Sequence, residues 1–78
     1  MNITKLKSDL ETDDIYFEYH RQRCGIETAT ENSVTIYDMW FGEKSSKKYQ
    51  DFDEMVNDKI FDGKSLAEII GEVSIHYT

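Results

Sequence analysis

The sequence predicts an α+β fold: a small antiparallel β-sheet, made of a long hairpin plus one or two further strands, with two helices packed on one face. Apolar and polar residues alternate over residues 15–19, and residues 34–41 are rich in β-branched and aromatic types. Two later segments, 51–60 and 65–73, each open with a capping-box pattern and continue at helical spacing. Because every amphipathic element needs a second layer to cover it, we expect the helices to pack on the sheet.

The N-terminal segment, residues 1–14, is predicted as a short helix or an arm, followed by a connection. Ile3, Leu6 and Leu10 fall on one helical face, whereas residues 11–14 are polar and disfavour a strand. Pattern alone leaves open whether this segment docks on the sheet.

The sheet begins with the clearest strand, residues 15–19, which we expect to continue through residues 21–26. Gly25 would suit a bulge or the end of that strand. Residues 30–33 form a turn signal, and the strand over 34–41 completes the long hairpin. Residues 47–50 could add a short edge strand blunted by lysines, a point that the pattern leaves undecided.

The second half of the chain is predicted to hold both helices. Asp51 or Asp53 is placed to cap a helix in which Phe52, Met55 and Ile60 recur at helical spacing. Ser65 opens a second capping box, and apolar residues alternate again towards the end of the chain. The expected order is α-β-β-(β)-α-α-β, with the position of the last strand left open.

Composition limits the classes of protein to consider. A chain of 78 residues without a Pro-, Gly- or Ser-rich divider predicts a single domain over residues 1–78. The lone cysteine and the absence of a signal-peptide pattern or long apolar run predict a cytoplasmic protein without membrane insertion. A net charge of −7 disfavours nonspecific nucleic-acid binding. In a general way the chain resembles small proteins of bacteria and their phages, and it matches no named family.

Motifs for metal, cofactor and catalytic sites fail when tested against the chemistry that they need. Residues 58–63 imitate a calcium loop, but Ile60 occupies a ligand position. His20, Cys24 and His76, even with Asp38, lack the short paired spacing of zinc sites. No phosphate-binding glycine pattern or nucleophile elbow occurs. We therefore expect neither a cofactor nor a metal, and no enzymatic activity.

The leading functional hypothesis is a noncatalytic protein-interaction module that forms a homodimer or binds another protein. The strand over 34–41 is apolar on both faces, so a sheet covered on one side would leave apolar residues outside. We expect that outer surface around Tyr16, Tyr37, Met39 and Phe41. The open alternative is that Tyr16, Tyr37 and Phe41 pair across strands and are partly covered by the N-terminal segment.

Two rival hypotheses belong to other classes of protein. An acidic stripe of Asp51, Glu54 and Asp58 on the first of the two helices would suit an inhibitor or immunity-type decoy that binds a basic protein surface. Cys24, next to Arg23 and expected near His20 on one strand, would suit a small thiol enzyme or redox sensor.

Overall fold

The computed structural model describes residues 2–77 and has the predicted α+β class. A five-stranded antiparallel sheet has the strand order β4-β3-β2-β1-β5. The elements in chain order are α1 (Ile3–Asp9), β1 (Ile15–Tyr19), β2 (Gln22–Glu31), β3 (Val34–Phe41), β4 (Ser45–Tyr49), α2 (Phe52–Asn57), α3 (Leu66–Ile69) and β5 (His76–Tyr77). The prediction of an antiparallel sheet followed by two helices is confirmed, and the N-terminal segment is a helix.

Two tight turns set the register of the sheet. His20 and Arg21 join β1 to β2 with φ values of 49° and 64°, and Asn32 and Ser33 join β2 to β3 with 50° and 67°. Two residues with positive φ match the right-handed twist of a hairpin. The expectation that the first strand continues past Tyr19 is therefore wrong, because the chain reverses at His20 instead.

Gly25 does not form a bulge or end a strand, as the sequence suggested. It pairs with Tyr16 on one side and with Trp40 on the other, inside an uninterrupted β2. Because Gly25 has no side chain, the Trp40 ring has room to lie over β2.

The hydrophobic core lies between one face of the sheet, called here the core face, and the three helices. The Phe61 ring lies 5.7 Å from that of Phe17 and 5.5 Å from that of Phe41, between centroids, and it is fully buried. The other buried apolar residues are Leu6, Leu10, Ile15, Tyr19, Cys24, Ile26, Met39, Tyr49, Phe52, Met55, Val56, Leu66, Ile69 and Ile70. Leu6 and Leu10 show that α1 docks on the sheet beside the two later helices.

The predicted capping box at Ser65 is confirmed, and the N-cap of α2 is Asp51, one of the two residues that its pattern allowed; α2 itself is shorter than its sequence pattern. The Asp51 carboxylate accepts the Asp53 backbone N–H at 2.9 Å. Ser65 and Glu68 form the reciprocal capping box of α3. The backbone at Asp58 is extended, with ψ of 130°, so α2 ends at Asn57. Among the helices of residues 2–77, none is long and apolar enough to cross a membrane.

The two edges of the sheet are formed by short strands. β4 forms one edge and carries the predicted lysines, and β5 pairs with β1 at the other. Strand β1 pairs with β2 only as far as Ile26, and β4 pairs with β3 only from Tyr37 onwards. Residues 27–36 therefore extend from the sheet as a two-stranded arm.

Candidate functional site

The register assigns alternate residues of each strand to the side of the sheet away from the helices, called here the outer face. The outer face consists of Tyr16, Glu18, Arg23, Gly25, Glu27, Ala29, Glu31, Val34, Ile36, Asp38, Trp40, Ser46, Lys48 and His76. Apart from Gly25, all of these residues are half-buried or exposed. No helix among residues 2–77 contributes to this side, because the buried residues of all three belong to the core cluster.

An aromatic pair lies at the centre of the outer face. The rings of Tyr16 and Trp40 are 5.9 Å apart between centroids and tilted by 56°. Gly25 lies between them in the register, and a Cβ atom added to it would overlap the Trp40 ring and come 2.9 Å from the Ile15 carbonyl oxygen. The missing side chain of Gly25 therefore lets the indole lie directly over β2.

The aromatic pair forms one wall of an open groove of about 510 Å³. His76, which is opposite Tyr16 on β5, and the cross-strand neighbours Glu18 and Arg23 contribute to the same groove. Indole and phenol faces attract cations and planar groups, and the surrounding polar side chains can give direction to a bound group. The groove is open rather than enclosed, and it combines aromatic with charged side chains.

Charged side chains behave differently on the two sides of the sheet. The salt bridges of the described chain are Lys5–Asp9, His20–Asp62, Lys44–Asp62, Lys47–Asp58 and Lys59–Glu68, and none of them includes an outer-face residue. The outer face carries four carboxylates and two cations, and no ion pair within residues 2–77 joins one of these carboxylates to one of these cations. The outer-face carboxylates are those of Glu18, Glu27, Glu31 and Asp38, and the cations are Arg23 and Lys48.

The predicted interaction surface is divided between both sides of the sheet. Tyr16 is on the outer face, but Met39 and Phe41 are on the core face with exposed fractions of 0% and 1%. Tyr37 is also on the core face and contacts the Phe52 ring of α2, 5.8 Å away between centroids. The expectation that these four residues share an outer surface is therefore wrong. The open alternative fits Tyr37 in part, because it lies beside the N-terminal helix residues Lys7 and Leu10.

Sequence reasoning missed the outward apolar residues of β3, which are Val34, Ile36 and Trp40. Both faces of this strand are apolar, so its own pattern could not select the core side. The strand register identifies the core side of β3. Phe41 is opposite Cys24, and Cys24 is opposite Phe17, which lies on the more apolar face of β1. Using the register in this way requires knowing that the chain turns at His20 and Arg21. Neither residue is a glycine or an asparagine, the types that predict such a turn.

The predicted acidic stripe does not form one free surface. Asp51 caps α2, and Glu54 is exposed on that helix. Asp58 accepts hydrogen bonds from the Lys47 ammonium at 2.9 Å and from the Tyr49 hydroxyl at 2.8 Å. These bonds hold the pKa of the Asp58 carboxyl below its usual value. Asp58 therefore ties the end of α2 to β4 and has little capacity for a partner.

Cys24 lies in the core rather than in a reactive environment. Its side chain is 1% exposed, and its thiol contacts the Gln22 carbonyl oxygen at 3.5 Å. Burial raises the pKa of the Cys24 thiol to about 11, so the thiol is protonated at neutral pH. His20 is in a turn and is bonded to Asp62 at 2.8 Å, so it does not share a strand with Cys24 as expected.

The metal candidates are also dispersed over the molecule. In the range 2–77, no group of three or more His, Cys, Asp or Glu side chains is placed to hold a metal ion. His20 is bonded to Asp62, Cys24 is in the core, and His76 is exposed on β5.

Searches of the chain against protein-family models, curated proteins and solved structures found no match in any of the three.

Proposed function

We propose that this protein is a noncatalytic interaction module that binds a protein partner through the outer face of its sheet. An antiparallel sheet can keep one face in water when that face is polar. This outer face instead carries an indole, a phenol and the aliphatic side chains of Val34 and Ile36, with charged residues between them. Apolar groups framed by polar ones are typical of surfaces that bind another protein.

The observation that carries this proposal is the position of Trp40. The chain has one tryptophan, and it lies over Gly25 on a central part of the sheet that none of the helices within residues 2–77 covers. Tryptophan and tyrosine are enriched among the few interface residues that supply most of the binding energy. A large aromatic side chain kept at the centre of an uncovered face is explained more simply by a partner than by the stability of the isolated domain.

The other two candidate functions draw less support from the geometry. An acidic decoy acting through α2 would have to use Asp58, which is already bonded to Lys47 and Tyr49. A thiol-based activity would have to use Cys24, whose burial disfavours the reactive thiolate.

Site-specific photocrosslinking tests the proposal with a matched pair of probes. A benzophenone side chain replaces Ala29, which is exposed on the outer face, or Glu54, which is exposed on α2. Each variant is expressed in the source cells and irradiated, and the crosslinked products are compared. We expect a discrete product from position 29 that is lost when Trp40→Ala is added, and no equivalent product from position 54.

Two controls make the result interpretable. Circular dichroism and thermal melting establish that the Trp40→Ala variant is folded, and sedimentation equilibrium of the pure protein shows whether the crosslinked partner is a second copy. Equal products from both positions, or a product from position 29 that persists without the indole, would contradict an outer-face interface.

A further inference from the structure

The outer face is arranged in bands that cross the strands. Tyr16, Gly25 and Trp40 are opposite one another and form an aromatic band. Two residues further along each strand, about 7 Å away, Glu27 is directly opposite Asp38. The next band is aliphatic, with Ala29 opposite Ile36. An acidic pair is thus enclosed by apolar groups on both sides.

The pair of Glu27 and Asp38 is unfavourable for the isolated domain. Like charges directly opposite each other on one face of a sheet repel and destabilise it. Asp38 accepts only a long contact from the Ser46 hydroxyl at 3.5 Å, and Lys48, opposite it on β4, forms no salt bridge with it in the described chain. Burial raises the pKa of the nearby Tyr16 phenol, and the charge of Glu27 raises it further. Glu27 therefore lies close enough to the aromatic band to act on it electrostatically.

We propose that the partner on the outer face is a basic protein segment, whose arginine or lysine side chain lies between Glu27 and Asp38 while its apolar neighbours contact Trp40 and Ile36. This inference rests on the proposed function and names the chemistry of its partner. A guanidinium group would relieve the repulsion between the two carboxylates and could stack on the indole. The net charge of −7 would attract such a segment at long range.

A second copy of the chain fits this surface less well than a basic segment. A symmetric dimer formed through the outer faces would bring two surfaces together that each carry four carboxylates and two cations. Their carboxylate excess would repel, and the acidic pair of each copy would be buried at the contact. A positively charged segment of a different protein gains from the same arrangement.

Selection from a phage-displayed library of random peptides tests the inference, with the immobilised wild-type protein as the target. We expect enriched peptides with Arg or Lys flanked by apolar residues. Their dissociation constants should rise roughly tenfold or more in the double variant Glu27→Gln with Asp38→Asn, because one partner of a charge pair is removed. The Glu54→Gln variant, which alters an exposed acid on α2, should bind the same peptides unchanged.

The outcomes separate this inference from the proposed function. Enriched peptides without basic residues, whose binding is lost in Trp40→Ala, would refute the basic partner and leave the interaction surface intact. Peptides that bind equally well to Trp40→Ala, or no enrichment at all, would overturn both. Self-association of the pure protein that depends on Trp40 would replace the basic segment with a second copy as the partner.

Discussion

Trp40 and Phe41 are neighbours in the chain but belong to regions of opposite character. Phe41 is 1% exposed and contacts Phe61 and Tyr19, within a core that the helices close. Trp40 rests on Gly25 on the uncovered side, next to the carboxylates of Glu27 and Asp38 that no ion pair within residues 2–77 includes. Side chains of the core face pack against other residues of the domain, whereas apolar and acidic side chains of the outer face stay at least partly exposed. An apolar strand therefore contributes to the core on one side and leaves apolar groups outside the core on the other.

The sharpest test of this contrast truncates each neighbour in turn. Phe41→Ala should lower the free energy of unfolding by about 3–5 kcal/mol, because it leaves a cavity among packed rings. Trp40→Ala should lower it by less, about 1.5–3 kcal/mol, because the half-buried indole loses its apolar contacts as well as its pairing with Tyr16. Urea denaturation followed by circular dichroism measures both.

A domain of this size could fail to fold with alanine at position 41, so Phe41→Leu provides a milder comparison. It should cost roughly 1 kcal/mol as an apolar exchange. If Trp40→Ala were as destabilising as Phe41→Ala, the indole would be part of the core and the two faces would not differ as described.

Gly25→Ala should disturb the outer face specifically. The added methyl group would overlap the Trp40 ring and press on the Ile15 carbonyl oxygen, at a cost of about 1–3 kcal/mol. Adding Trp40→Ala removes the overlap with the ring, so the double variant should lose less stability than the sum of the two single variants. Strictly additive losses would mean that the indole does not lie over Gly25.

Asp58→Asn tests the core-side attachment of α2 to β4. Losing the charge weakens the bonds from Lys47 and Tyr49, and we expect a loss of about 1 kcal/mol at neutral pH. The pKa of Asp58 is lowered in the folded state, so its contribution is present above the ordinary value of 3.8 and is lost as the pH falls through the folded value. Unfolding free energies of the wild type and the variant should therefore converge in acid. A difference that persists in acid would contradict this role of the charge.

Glu27→Gln should change the free energy of unfolding only slightly, and it should stabilise the domain where the preceding variants destabilise it. Removing one of two like charges on opposing strands should raise the free energy of unfolding by about 0.5 kcal/mol, and added salt should shrink the gain. Glu54→Gln changes the net charge equally but removes a favourable negative charge from the first turn of α2, so it should lower the free energy of unfolding by about 0.3–1 kcal/mol. A loss of stability in Glu27→Gln would show that this carboxylate has a partner within the domain.

Local sequence signals predicted much of the fold. Asp51 and the Ser65–Glu68 box marked the helix starts, because caps depend on side chains within a few residues. The fold class followed from the same segments. The end of α2 could not be read in this way, because Asp58 leaves the helix and bonds with Lys47 and Tyr49 of another element.

The candidate site was harder to predict than the fold. Which face of β3 points inward depends on pairing with β2 and β1, and hence on the turn at His20 and Arg21. A shift of one residue in the pairing moves every side chain of a strand to the other face of the sheet. Without the pairing, Met39 and Phe41 were assigned to the outer face, which in the structure carries Ile36 and Trp40. Gly25 carried a usable signal, since a glycine within a strand indicates close approach of another group.

Quenching of the single tryptophan by ions tests the central claim most directly, that Trp40 lies on an uncovered and acidic face. We predict that caesium ions quench Trp40 fluorescence in the monomeric protein more strongly than iodide ions do, when each quenching constant is divided by that of free N-acetyltryptophanamide under the same conditions. Glu27→Gln should narrow that difference more than Glu54→Gln, which carries the same net charge. An indole that neither ion nor acrylamide reaches, or a normalised quenching constant for iodide at least as large as that for caesium, would contradict the account.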